Sequence, residues 1–247
     1  MPGGVLPRAD TELLILRVAH NCGCEYEWGH HERLGVGAAM RPLDERDWTD
    51  PDSPGLTPYV RSKTIAERAA WELVREREEE DRLSVVNPGA IIGPALNDDL
   101  SYSLQAVQRL LKGMPGAPRL GFSLVDVRDV ADLELKAMTE PEAGGERFIA
   151  ATQFFWMGEI GTVLRERLGE AASKVPTRTI PNLLVRGMAL FDPSLRSVVG
   201  GLGKRTELSS EKARRSLGWA PRPIEDTIAE TGESLIRHGG AATPAAA

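Results

Sequence analysis

Apolar positions along 59–82 recur with helical spacing: Ala66, Ala69, Ala70, Leu73 and Val74 form one stripe. The pattern predicts a single helix over 59–82. Its last turns, from Arg75 to Arg82, are almost wholly charged and read as a solvated helix end. From Leu83 the period changes. Val85-Val-Asn-Pro-Gly-Ala-Ile-Ile92 is a short apolar run bounded by turn residues, which predicts one buried parallel strand over 83–92. Beyond it, helical patterns at 104–112, 130–138 and 157–168 alternate with strand patterns at 122–127 and 146–151. Helices at 183–190, 209–217 and 224–236 complete the pattern. Alternation of this kind predicts an α/β fold built on a parallel sheet.

The front of the chain has a different texture. Over 10–34 the pattern is helical, with Leu13, Leu14, Leu16 and Val18 apolar and Asp10 or Thr11 as the cap. Gly23, between Cys22 and Cys24, interrupts it, since glycine costs about 1 kcal/mol inside a helix. Residues 41–58 are rich in Asp and Pro, which is loop chemistry. The tail 239–247 is small and alanine-rich and is expected to be disordered. The organisation read from this is a helical segment at 1–35, a junction and loop at 36–58, an α/β unit at 59–238 and the tail.

Composition narrows the function classes. The 247 residues are 41% hydrophobic and 27% charged, with a formal net charge of −6. These are ordinary values for a soluble globular chain. The acidic balance disfavours nucleic acid as a partner, although Lys204-Arg205 offers a local basic patch. No apolar run reaches the roughly 18 residues that a transmembrane helix needs, and the start MPGGVLPRAD lacks the pattern of a signal peptide. Cys22 and Cys24 are too close for an ordinary disulfide and suit a reducing compartment, so a cytoplasmic location is expected. With His30 and His31 they are residue types that bind zinc. Adjacent histidines after C-x-C are not a usual ligand spacing, and no metal site is predicted.

Tyr59 and Lys63 carry the most specific chemistry. At i and i+4 on a helix they share a face. A tyrosine titrates near 10, and a neighbouring cation favours its phenolate. Such a phenol can give a proton to a carbonyl oxygen as hydride reaches the carbon, or take it back in the oxidation. Taken alone, Y-x-x-x-K is weak and more often marks a surface pair. Here it stands in TPYVRSKTIAERAAW, followed by VVNPGAIIGPAL, FSLVDVRDVADLELKAM and SSEKARRSLGWAPRPIEDTIAET.

These segments, in this order, resemble the C-terminal part of the extended short-chain dehydrogenase/reductase family, in its NAD-dependent epimerase/dehydratase or dihydroflavonol-reductase-like branch. The resemblance runs from Arg41 to Arg237. It implies a Rossmann-like sheet with C-terminal substrate-binding helices, a carbonyl or alcohol as substrate, and NADP or NAD as cofactor. It implies Tyr59 as general acid/base, with Lys63 favouring the phenolate and bonding the nicotinamide ribose. Pro88, Gly89 and Ile91 would line the nicotinamide end of the cofactor site. Val125 to Asp129 would fix the substrate region, a stretch that reads equally well as a helix start capped by Asp126 or Asp129.

Two expected elements are absent from the sequence ahead of Tyr59. The family opens with a strand and a Gly-rich turn whose N–H groups hold pyrophosphate. Gly35-Val-Gly37 lacks the third glycine and any strand before it, and lies closer to Tyr59 than the family places its glycines. The stretch 33–40, where the family carries a catalytic hydroxyl, contains no Ser or Thr. Weak or absent turnover is therefore expected, from a sheet lacking its first strands. An open sheet edge would favour pairing with another copy or a partner chain, and a non-catalytic interaction protein is the alternative reading. The front segment in turn resembles a fragment of the carboxymuconolactone decarboxylase/alkylhydroperoxidase-D-like family, through Leu6-Pro7-Arg8, 12–17, Glu25-Tyr26-Glu27-Trp28 and His31. That resemblance implies a further alternative, decarboxylase or peroxidase chemistry with Glu27 and His31 as a relay pair.

Overall fold

The computed structural model describes residues 41–53, 56–97, 99–190 and 199–238. The helix expected over 10–34, the Glu27/His31 pair, the Cys22/Cys24/His30/His31 group, the Gly35-Val-Gly37 turn and the tail lie outside the described residues.

Thr57 and Pro58 start the first helix, α1 (Pro58–Glu76). Thr57 is extended, and its hydroxyl accepts the Val60 N–H at 3.2 Å. Pro58 occupies the first turn, where a missing N–H is tolerated. α1 buries Val60, Thr64, Glu67 and Trp71. It ends before the charged run does. Glu78 takes the left-handed φ of 54°, and Glu80–Arg82 forms a separate 3-10 turn. Glu76, Glu79 and Glu80 would stack like charges three and four residues apart at the negative pole of a continued helix, and both effects oppose extension.

The apolar run that follows is not one strand but two. β1 (Val85–Pro88) and β2 (Ala90–Ile92) join at Gly89 and belong to different ladders. The Gly89 N–H donates to the Ala150 carbonyl at 2.9 Å, while a Cβ at Gly89 would lie 2.2 Å from the Ser123 carbonyl oxygen. Only a residue without a side chain fits that approach.

Beyond it come α2 (Tyr102–Lys112), β3 (Ala117–Pro118), β4 (Gly121–Asp126), α3 (Val127–Thr139), β5 (Arg147–Ala150), β6 (Gln153–Trp156) and α4 (Met157–Leu168). The chain closes with β7 (Thr179–Ile180), α5 (Asn182–Met188), α6 (Glu211–Leu217) and α7 (Ile224–Arg237). β1 pairs with β5, β2 with β4 and β3 with β7, all parallel as expected. β6 departs from the pattern and pairs antiparallel with β4. It is four residues long and runs directly into α4, so its Phe154-Phe155-Trp156 merges with the helical pattern in the sequence.

Packing follows the alternation of side chains along the strands. Val85 clusters with Trp71 of α1, Leu83 and Trp48. Val86, Phe148 and Ala150 pack with Leu133 of α3, Leu217 of α6 and Trp219. The β1–β5 ladder is thus covered on both faces. A second core joins β2, β4, α2, α4 and α7 through Ile92, Leu110, Leu124, Leu164 and Ile228. Among the described residues β1 has a strand on one side only, and no helix is long and apolar enough to cross a membrane.

Glu134 of α3 is half-buried, and burial pushes its carboxyl up to about 7 from 4.5. The folded chain then holds a proton that the unfolded chain releases, so stability falls as pH rises from 4.5 toward 7 and levels off above. Glu134→Gln should raise stability at pH 8 by on the order of 1–2 kcal/mol after solvent screening, and leave it unchanged at pH 4. Urea titration at both pH values measures this, and an equal effect at the two would contradict it.

Candidate active site

Tyr59 and Lys63 lie in the first turns of α1, both half-buried. The Lys63 Nζ stands 5.5 Å from the centre of the Tyr59 ring. Among the described residues the ammonium has no carboxylate partner. A cation over the ring face is attracted by the ring quadrupole, and its charge favours a negative phenol oxygen.

Two contacts fix how α1 lies on the sheet. Trp71 clusters with Val85, and Glu67 accepts the Asn87 Nδ2 at 3.1 Å. Going down the helix by four residues therefore moves back along β1 by two, so the two elements run antiparallel. Four helical residues rise about 6 Å and two strand residues about 6.6 Å. The same register carries Lys63 to the level of Gly89, at the carboxyl end of β1. Ligands in open parallel sheets bind outside the carboxyl ends of the strands.

Glu67 is the anchor of this arrangement. Its carboxylate receives Arg147 Nε of β5 at 2.6 Å, with both side chains under a tenth exposed, and Trp71 Nε1 at 3.4 Å. Arg147 also donates to the Glu45 carbonyl, and its guanidinium lies 3.8 Å from the centre of the Trp48 ring. Glu45 in turn accepts the Ile149 N–H at 2.9 Å on the outer edge of β5. Arg68 of α1 donates to the Thr49 carbonyl at 2.9 Å. The Asp- and Pro-rich loop ahead of Tyr59 is thereby bonded to β5 and to α1. Within the loop, the Arg46 guanidinium beside Asp44 holds its carboxyl down to about 2, and Arg41 bonds Asp47 through two nitrogens at 2.9 Å.

Of the other residues singled out in the sequence, Pro88 and Gly89 are buried and Ile91 is half-buried. The Gly89 α-carbon faces the Ser123 backbone, and the Ile91 carbonyl accepts the Ser103 hydroxyl at 2.5 Å. Beside them, Asn87 Oδ1 and Thr152 Oγ1 are buried without a hydrogen-bond partner. Asn87 lies near the carboxyl end of β1, and Thr152 in the two-residue link that follows β5. The stretch 125–129 forms a helix start: Asp126 accepts the Arg128 N–H at 2.7 Å and the Thr227 hydroxyl at 2.8 Å. Burial alone would raise the Asp126 carboxyl, but Arg128, its N–H and Thr227 outweigh it and hold the group below its ordinary range. Asp129 binds Arg222 through Nε at 2.9 Å and the backbone N–H at 3.0 Å. Both aspartates thus tie α7 and its approach to the end of β4. Among the described residues no cluster of His, Cys, Asp and Glu has the makings of a metal site.

Sequence reasoning missed Glu67, Arg147, Asn87 and Glu45. The available signal was Glu67 itself, one turn beyond Lys63 on the buried side of an otherwise charged helix.

No protein-family model matches the chain. Among curated proteins it is 31% identical to cinnamoyl-CoA reductase CAD2 of Medicago truncatula, over 78% of this chain and 53% of that protein. It is 27% identical to the NADPH-dependent methylglyoxal reductase GRE2 of Saccharomyces cerevisiae, over 78% of this chain and 55% of that protein. The chain spans about half the length of the curated relatives it matches. Among solved structures, the yeast methylglyoxal/isovaleraldehyde reductase Gre2 complexed with NADPH superposes with a TM-score of 0.67 at 24% identity, covering 88% of this chain and 63% of that one. These relatives and neighbours are members of the extended short-chain dehydrogenase/reductase family, and the shared fold is the Rossmann-like one expected.

Breaking the Glu67–Arg147 pair leaves a buried charge unmatched. Glu67→Gln or Arg147→Met alone should cost about 3–5 kcal/mol, and the double replacement less than the sum. A double-mutant cycle by chemical denaturation reads this coupling directly; additive losses would show that the pair is not a unit.

Proposed function

We propose that this chain carries the proton-transfer and nicotinamide-side part of an NADPH-dependent carbonyl/alcohol reductase of the extended short-chain dehydrogenase/reductase family. The observation that carries the reading is the Tyr59–Lys63 pair, half-buried, with the ammonium lacking a carboxylate partner among the described residues; extending the α1–β1 register brings it to the level of Gly89. The activities of the relatives, NADPH-dependent methylglyoxal reductase and cinnamoyl-CoA reductase, support it.

In this reading Tyr59 hydrogen-bonds the substrate oxygen. It delivers its proton there during reduction and recovers it during oxidation. Lys63 favours the phenolate and bonds the nicotinamide ribose. Pro88, Gly89 and Ile91 line the nicotinamide end. NADPH, when bound, supplies the hydride. The unpartnered Asn87 Oδ1 and Thr152 Oγ1 fit a polar ligand at this end of the sheet. Glu67 and Arg147 touch neither reactant. They act by holding α1 at the register that presents Tyr59 and Lys63.

The stretch 33–40 contains no Ser or Thr. A lost hydrogen-bond donor to the reacting oxygen typically costs a factor of about 10²–10³ in turnover. We therefore read this chain as a slow reductase.

Isothermal titration of NADPH and NADH into the chain tests the proposal. NADPH should bind, and Lys63→Ala should weaken binding about tenfold, the worth of one charge-assisted hydrogen bond. Tyr59→Phe should keep binding within about twofold while removing residual turnover, as expected for a group that acts only in the transition state. Failure of the unaltered chain to bind either nucleotide would sink the proposal.

A further inference from the structure

The short helix α5 turns its apolar side outward. Leu183 is 80% exposed, Leu184 59% and Met188 47%, and Leu190, just past the helix, is 71% exposed. A surface helix ordinarily does the reverse and faces its apolar stripe to the core. On α5 and its last turn only Val185 and Ala189, at i and i+4, are buried. Leu183, Gly187 and Leu190 follow one another at i, i+4 and i+7. The turn continues that far because the Ala189 and Leu190 N–H groups donate to the Val185 and Gly187 carbonyls, at 3.0 and 3.2 Å. A Cβ at Gly187 would meet nothing within 4 Å, so this side is open. The base beneath it is fixed: β7 leads into α5 and pairs with β3, and the Arg178 carbonyl accepts the Ala117 N–H at 2.9 Å. Soluble monomers rarely expose a contiguous apolar patch that binds nothing.

Charge indicates what covers this face. Residues 174–190 contain Lys174, Arg178 and Arg186 and no Asp or Glu, within a chain of net charge −6. All three cations are exposed, and none has a carboxylate partner among the described residues. Arg186 borders the apolar face, three residues after Leu183 and four before Leu190. Arg178 stands four residues before α5 begins, within about 13 Å even along an extended chain. A second copy of the chain, seated across a twofold axis, would bring these cations against their own counterparts, and like charge opposes that. An anionic lipid surface satisfies both features. Its acyl boundary accepts the leucines and the methionine, while long basic side chains reach back to the headgroups.

We propose that α5 seats the chain on the surface of an anionic membrane. Leu183, Leu184, Met188 and Leu190 enter the boundary between headgroups and acyl chains, and Arg178 and Arg186 engage lipid phosphates. This is attachment through an interfacial helix and requires no span, which accords with the lack of a long apolar helix among the described residues. Apolar burial and surface charge act together here, since neither a few leucines nor two cations alone hold a protein at a bilayer for long.

Co-sedimentation of the chain with vesicles of equimolar phosphatidylcholine and phosphatidylglycerol tests this, beside vesicles of phosphatidylcholine alone. Binding to the mixed vesicles should be about thirtyfold tighter, the worth of two basic residues near the surface. Leu183→Ser and Leu184→Ser should each weaken it about tenfold, whereas Leu184→Phe, which keeps the apolar area, should stay within about twofold. Arg186→Ala should weaken it about fivefold. Arg215→Ala removes the same charge from the exposed side of α6, which packs against α3 and β5, and should change binding less than twofold because screening confines the effect to nearby charges. Every substituted side chain is exposed, so melting temperatures should not move, and equal melting keeps folding out of the comparison. No binding to the mixed vesicles, equal binding to both kinds, or equal weakening by Arg215→Ala overturns the proposal. So does a concentration-dependent dimer in lipid-free sedimentation velocity that Leu183→Ser abolishes, because the face would then belong to an interface between copies.

Discussion

The Glu67–Arg147 ion pair, sealed between α1 and β5, is the constraint on which the rest of the site depends. A buried pair contributes little net stability, because desolvating two charges costs nearly as much as their attraction returns. Its value lies in what it excludes. The carboxylate must meet Arg147, Asn87 and Trp71 together, and sliding α1 by a turn would strand all of them. Helix register is thereby locked, and with it the height of Tyr59 and Lys63 above the strand ends. The guanidinium extends the same lock to Trp48 and Glu45.

A second constraint is geometric. The chain must leave β1, which pairs with β5, and enter β2, which pairs with β4, within a single residue. Gly89 makes this possible because the Ser123 carbonyl occupies the space of a side chain. Its glycine identity thus has a sufficient cause in strand packing, independent of any ligand. Asp126 and Asp129 tell a similar story at the end of β4, where each serves a helix start or an arginine of the closing segment.

Much of the α/β pattern was legible in the sequence because it rests on local periodicity. α4 begins at Met157 and ends at Leu168, where the apolar spacing starts and stops. The failures came where a non-local term decides. Nothing in the run from Val85 to Ile92 shows that its halves belong to different ladders; that depends on Ser123, far along the chain. Accumulated like charge ended α1 at Glu76, two residues past the last apolar position of its stripe, where the charged run reads as more helix. The candidate site divides in the same way. Tyr59 and Lys63 were visible as an i, i+4 pair. Glu67, Arg147 and Asn87 were not, because a buried ion pair joins residues whose partnership no spacing records.

The way α1 begins has an electrostatic consequence. Its peptide dipoles sum to roughly half a positive charge at the N-terminal end. Helices commonly offset that pole with an Asp or Glu in the first turn, and α1 has none there. Proline supplies no N–H, so the remaining N–H groups of the opening turn carry the pole past Thr57 toward Tyr59. The helix therefore adds a positive field at its first turn to the charge that Lys63 carries. Negative charge arising in that space, on a phenol or on a substrate oxygen, would form in a potential set by the backbone before any side chain moves.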